Sequence, residues 1–191
     1  GEYVGYLQAL NVLEEMIPVS NPLLWNCETP TLYTLTLEML DETGACIDVE
    51  SCRVGFREVR IQNGILELNR KRLILRGTNL HEHSAYTGRA VSHQELKAQL
   101  LNFNAVRTCH YPKDVAFYDL CDELGLYVVD EANIETHGYG GGLSDDPCWT
   151  DAYMKRGIRM CLRDKNHPCV IVWSLGNESG VGANHGAMYG W

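Results

Sequence analysis

The sequence predicts an α/β fold in which a parallel sheet covered by helices follows a piece of antiparallel sandwich. Two observations predict it. Four short apolar segments alternate with stretches of helical spacing, the signature of parallel strands linked by covering helices. Upstream of about Glu58 the texture differs, with apolar and polar residues alternating in steps of two, as in a half-buried antiparallel strand.

The elements follow in order. Residues 1–31 carry Pro18, Pro22 and Pro30, which break any long element. LYTLTLEML (32–40) places Tyr33, Leu35, Leu37 and Met39 on one face, DETGA (41–45) turns, and CIDVESCRV resumes with Ile47 and Val49 expected to face inward. ILELNRKRLILRG (65–77) predicts a hairpin leading into a strand at Leu73–Arg76. SHQELKAQLL (92–101) predicts a helix with Ser92 as cap and Glu95 at the capping-box position. NAVRTCHYP (104–112) reads as a strand with a loop behind it. KDVAFYDLCDELG (113–125) reads as a helix ended by glycine. LYVVDEANIETHG (126–138) is a buried strand with a polar tip, DAYMKRGIRMCLRDKNHP (151–168) an amphipathic helix, and CVIVWSLG (169–176) the last buried strand. The expected domains are residues 1–60, the end of a sandwich, and 61–191, four of the eight βα units of a (β/α)8 barrel.

Composition narrows the function. Sixteen Lys and Arg against twenty-five Asp and Glu give a net charge of −9, which argues against nucleic acid and anionic membranes as partners. No apolar run approaches the roughly 20 residues that span a bilayer. The eight cysteines include no Cys-x-x-Cys pair, so a zinc ribbon or thioredoxin-like site is not expected. Free thiols in a reducing cytosol fit better, and they predict a cytoplasmic protein.

Each His- and Glu-rich cluster falls just after a strand, where parallel α/β folds place their active sites. No GxGxxG or Walker sequence supports nucleotide binding. At the tip 130–137, Glu135 and His137 share a face if the segment is extended, and with one more carboxylate they could hold Mg²⁺ rather than Zn²⁺. The bland alternative is a solvated loop. His81-Glu82-His83 lacks the HExxH spacing of zinc proteases, leaving one histidine to line a pocket and one to pack. His110 falls in a similar place after its strand, or is a hydrogen-bonded loop histidine. His167 and His185 sit in helical contexts that favour structural roles. Asn177 and Glu178 follow the last strand between Gly176 and Gly180. A partly desolvated Glu178 beside another carboxylate would have the raised pKa of a general acid, whereas the plain alternative is a strand-to-helix turn.

Five segments, RGTNLHEH (76–83), HYP (110–112), DEANIETHG (130–138), RDKNHP (163–168) and SLGNESG (174–180), resemble glycoside hydrolase family 2, and within it the branch of LacZ-type β-galactosidases. NPLLWNCETPTLY (21–33) and VGFREVRI (54–61) resemble the end of the immunoglobulin-like sandwich that precedes the TIM barrel in that family. The resemblance implies retaining hydrolysis of terminal β-D-galactosides by a homo-oligomeric parent protein. It assigns Glu178 as acid/base, Asn177 to the sugar 2-OH, and His81 and His110 to the galactose pocket. It assigns Glu135, His137 and Glu178 to Mg²⁺, with a monovalent cation as a further ion of the site.

Retention needs two carboxylates about 5 Å apart, and the family's nucleophilic glutamate lies on a later barrel strand. The expectation is therefore a fragment that is inactive alone, with open sheet edges that favour aggregation. SHQELKAQLL is about two turns shorter than the family's first barrel helix, and Arg70 stands where a hairpin glycine is usual. The competing readings are a non-catalytic sugar- or partner-binding relative, another family 2 β-glycosidase such as a glucuronidase or mannosidase, and an unrelated metal-dependent hydrolase using Glu135, His137 and Glu178.

Overall fold

A computed structural model of the chain describes residues 16–99 and 103–191. Strands β1 (Tyr33–Leu40) and β2 (Cys46–Val54) form an antiparallel hairpin. Asp41 builds its turn by accepting from the backbone of Thr43 and Ala45 at 2.8 and 2.9 Å. The register corrects one expectation. Val49 lies opposite Glu38, on the face away from Leu35, Leu37 and Met39, because opposed residues share a face. Ile47 falls at the irregularity where Met39 pairs with Asp48 and Leu40 with Cys46. Both hairpin faces are exposed among the described residues, and residues 1–15 lie outside them.

A second sheet, β3 (Val59–Gln62), β4 (Ile65–Leu68) and β5 (Lys71–Arg72), leads into the parallel sheet. That sheet has the order β6 (Gly77–Asn79), β7 (Ala105–Arg107), β8 (Tyr127–Glu131), β9 (Val170–Ser174), every neighbouring pair parallel. Its first strand is Gly77–Asn79 and not the Leu73–Arg76 that the apolar run predicts. The Leu73 N–H still donates to Leu66, and the Asn104 side chain holds the Ile74 carbonyl and the Arg76 N–H at 2.9 and 2.6 Å. Those backbone groups are therefore satisfied by a side chain in place of a ladder.

Helix α1 (His93–Gln99) carries the expected capping box, the Ser92 N–H reaching Glu95 at 3.1 Å and the Glu95 N–H reaching Ser92 at 3.3 Å. The continuation of that helix over Leu100 and Leu101 lies outside the described residues. Helix α2 (Val115–Leu124) is capped by the Asp114 carboxylate and closed by Gly125. Its buried face, Phe117, Tyr118, Leu120 and Cys121, packs on Val106, Val128 and Val170 of the sheet to form the main core. Fully burying each such apolar side chain is worth about 1.5–3 kcal/mol. Two further helices have no clear sequence signal, α3 (Gly142–Asp145) and α5 (Ala183–Gly190). Between them α4 (Thr150–Asp164) joins Tyr153 and Met160 with Ile134 and Met188 in a second core. In β9, Val170 is buried but Trp173 is 37% exposed, so that strand is less buried than its apolar sequence predicts.

The sandwich end is fastened beneath the sheet. Trp25 is fully buried, donates from Nε1 to the Asp122 carbonyl at 2.8 Å and meets Tyr127 edge to face. Arg57 donates to the carbonyls of Pro168 and Val170 at 3.1 and 2.7 Å. His167, set by the preceding Asn166 turn, bonds Asp122 at 2.6 Å and His185 bonds Ser179 at 3.0 Å, the structural roles expected of them. All eight cysteines are free. No described helix is long and apolar enough to cross a membrane.

Candidate active site

The C-terminal ends of the four parallel strands bring every predicted site residue to one end of the sheet. The tips of β8 and β9 are joined by a bridge between Glu135 and Asn177, with the Asn177 N–H on the Ile134 carbonyl at 2.8 Å. The joint requires glycine. Gly176 has φ +140°, and a Cβ there would stand 2.6 Å from the Ile134 carbonyl oxygen. Glu178 itself sits at φ +42°, an uncommon conformation for a residue with a side chain.

Glu135, His137 and Glu178 each present a donor atom within 4.8 Å of the others. Extended alternation is not the cause. Thr136 has ψ 31° and His137 opens a short 3-10 turn, so a bend, with the His137 N–H on Glu135 at 3.3 Å, brings the two side chains together. Glu178 contacts His137 Nδ1 directly. The expected desolvation of Glu178 is not found. Its side chain is 56% exposed, because the left-handed turn lifts it to the rim, and its surroundings are set by Glu135 and His137 rather than by burial. Two carboxylates and one imidazole form a hard, oxygen-rich set of the kind that suits Mg²⁺, which usually keeps several waters and so tolerates this exposure.

Behind these groups lies a network absent from the sequence-level site. Glu131 is fully buried at the end of β8 and accepts from Arg107 Nε at 2.7 Å, Arg107 Nη2 at 3.0 Å and Ser174 Oγ at 2.7 Å, with His110 Nδ1 at 2.8 Å. Burial alone would raise its pKa, but the bonds from Arg107, Ser174 and His110 outweigh that and hold the carboxyl below its ordinary value. Arg107 continues to Asn79 at 3.3 Å and Asn177 at 2.8 Å, so one guanidinium touches the ends of β6, β8 and β9 from its own place on β7. A charged residue closing an apolar strand, as Arg107 and Glu131 do, was the signal that could have found them.

Asn177 is held at both ends of its amide. Its Oδ1 accepts from Arg107, and its Nδ2 donates to Glu135 Oε2 at 2.5 Å. Arginine only donates and a carboxylate only accepts, so this pairing fixes the amide's orientation and leaves one N–H free. His81 and His110 meet edge to face at 5.3 Å. Partial desolvation by the groups around it, then the charges of Lys113 and His110, push the pKa of the exposed His81 down. A cavity of about 180 Å³ adjoins Glu135 on the side of α4, lined by Thr136, Trp149, Tyr153 and Arg156. Neither His81 nor His110 borders it.

A parallel sheet with its candidate site on the C-terminal strand tips defines an α/β enzyme domain of the broad class that includes the TIM barrels. Residues 59–191 match the family described as glycosyl hydrolases family 2, TIM barrel domain, and residues 5–57 match glycosyl hydrolases family 2. The chain belongs to glycosyl hydrolase family 2. It is 52% identical over 185 residues to a β-galactosidase of Vibrio cholerae serotype O1, covering 93% of this chain and 18% of that protein. A β-galactosidase of Pseudoalteromonas haloplanktis is 52% identical over 188 residues, covering 95% and 18%. Among solved structures, the apo form of β-glucuronidase 3 from Bacteroides uniformis is 31% identical with a TM-score of 0.73, covering 87% of this chain and 21% of that one. The chain thus spans about a fifth of the length of the curated relatives it matches.

Proposed function

We propose that this chain supplies the acid/base half of a retaining β-galactosidase. The observation that carries the reading is the Glu135–Asn177 bridge, which sets Glu178 among Glu135 and His137 at the strand tips. The 52% identity to β-galactosidases supports a galactoside as substrate. In this reading the Glu178 carboxyl gives its proton to the departing glycosidic oxygen and later takes one from the water that completes hydrolysis. The free Asn177 N–H meets the sugar 2-OH, and His81 and His110 line the pocket. Arg107 holds Asn177 and Glu131 in register without touching the sugar.

Glu135, His137 and Glu178 would hold Mg²⁺. When bound, the ion would supply positive charge that fixes the Glu178 carboxylate and tunes its acidity. The second carboxylate, about 5 Å from the acid/base in retaining enzymes, is assigned to a later strand, so residues 1–191 alone are expected not to turn over. A homo-oligomeric parent belongs to the same proposal, as does a cytoplasmic location, which the free thiols support.

A β-glucuronidase is the second reading, because the solved structures of similar fold carry that name at lower identity. Grafting residues 1–191 into the matching segment of the Vibrio cholerae protein separates them. The chimera is expected to hydrolyse a chromogenic β-galactoside but not the β-glucuronide, and Glu178→Gln to lower that rate by at least about 100-fold, the scale of general acid–base catalysis. Preference for the β-glucuronide, or full activity in the Glu178→Gln chimera, would sink the proposal.

A further inference from the structure

A second group of ligand-type side chains meets at the ends of β6 and β7. His81, Cys109 and His110 each offer a donor atom within 4.8 Å of the others. Their chemistry differs from that of the carboxylate cluster, with two imidazoles, one thiol and no oxygen. Such donors select thiophilic and borderline cations over Mg²⁺. We propose that His81, Cys109 and His110 form a transition-metal site for a cation of the Zn²⁺ or Cd²⁺ type.

His110 is already arranged as a metal-binding histidine. Its Nδ1 lies 2.8 Å from the buried Glu131 carboxylate, leaving Nε2 as the nitrogen available to a ligand. A carboxylate behind the ring is what fixes the tautomer and aim of metal-bound imidazoles. Arg107 and Ser174 in turn hold Glu131, so the ring is set before any ion arrives. Cys109, 2% exposed, forms the inner wall, while His81 stands on the solvent side and leaves an entry path.

Zinc bonds of about 2.0–2.3 Å in tetrahedral geometry put ligand atoms about 3.3–3.7 Å apart. Closure from at most 4.8 Å therefore asks for no more than about 1–1.5 Å of movement, which the exposed His81 ring can make. As the sulfur–metal bond forms, the Cys109 thiol releases its proton to solvent, and a fourth position stays open to water. Lys113, bonded to the Cys109 carbonyl at 3.0 Å, opposes an incoming cation, and the new thiolate offsets it, Glu131 being already paired with Arg107. On the glycosidase reading the ion would compete with sugar, since His81 and His110 line that pocket. The site itself does not depend on that reading.

The test is Cd²⁺ titration of the 191-residue chain with the exposed Cys46, Cys52 and Cys148 replaced by serine, followed by the ultraviolet thiolate-to-cadmium charge-transfer band. The band is expected to appear at one equivalent, to vanish in Cys109→Ser, to need at least about tenfold more Cd²⁺ in His81→Ala, and to be unchanged by Glu135→Gln. No band, a band that survives Cys109→Ser, or one lost with Glu135→Gln overturns the proposal. Should Cys109→Ser fail to fold, His81→Ala decides, because its side chain lies outside the core, and unchanged Cd²⁺ affinity there overturns it equally.

Discussion

Arg107 Nη2 donates to Asn177 Oδ1 at 2.8 Å, a contact between residues 70 positions apart that ties the second parallel strand to the fourth. The same guanidinium neutralises Glu131, which has no exposed side-chain surface. Arg107→Ala leaves that carboxylate buried with its main counter-charge gone. The expected cost is about 3–5 kcal/mol in urea unfolding, the scale for breaking a buried pair. Arg107→Lys should recover only part, because an ammonium cannot reproduce the fork. A loss under about 1 kcal/mol in Arg107→Ala would contradict the role.

Asp130 gives the fold a pH dependence of unusual sign. Its Oδ1 accepts from Tyr118 at 2.7 Å and Thr108 at 3.2 Å, whereas Oδ2 is buried without a donor. Burial first, and then the neighbouring Asp164, raise its pKa from 3.8 to about 7. Between those values the folded chain keeps a proton that the unfolded chain has released, so this group's contribution falls as pH rises through the window. Asp130→Asn should raise Tm relative to the parent at neutral pH, with the difference shrinking toward pH 4. A difference that is constant with pH would show that Asp130 does not titrate there.

The hairpin turn at Asn69 and Arg70 has φ +50° and +64°. Asparagine tolerates this region, but arginine pays roughly 1–2 kcal/mol for it. The Arg70–Glu58 contact at 3.3 Å joins two exposed side chains and offsets little. Arg70→Gly is therefore expected to stabilise the chain by about 0.5 kcal/mol, after the greater freedom of glycine in the unfolded state. Chemical denaturation would expose the opposite outcome as a clear destabilisation.

What could be read from the sequence followed local physics. Helix α2 was visible because Asp114, the apolar spacing and Gly125 are all local signals. The pairing of Glu135 with His137 is legible, but a bend at Thr136 produces it in place of strand alternation, and Glu178 joins them as the family resemblance implies. The first parallel strand was displaced because Asn104, about 30 residues away, takes the backbone groups of Ile74 and Arg76. The Arg107–Glu131 network and the exposure of Glu178 depend on how four strands line up and on one left-handed residue. Neither leaves a periodic trace.

Trp25 is the one tryptophan sealed from solvent, while Trp149, Trp173 and Trp191 are 37–58% exposed. Its indole lies between the sandwich end and α2, so the chain carries its own optical gauge of that junction. Blue-shifted, quencher-resistant emission marks the joint as closed, and loss of that component before the barrel helices melt would mean that the sandwich end detaches first.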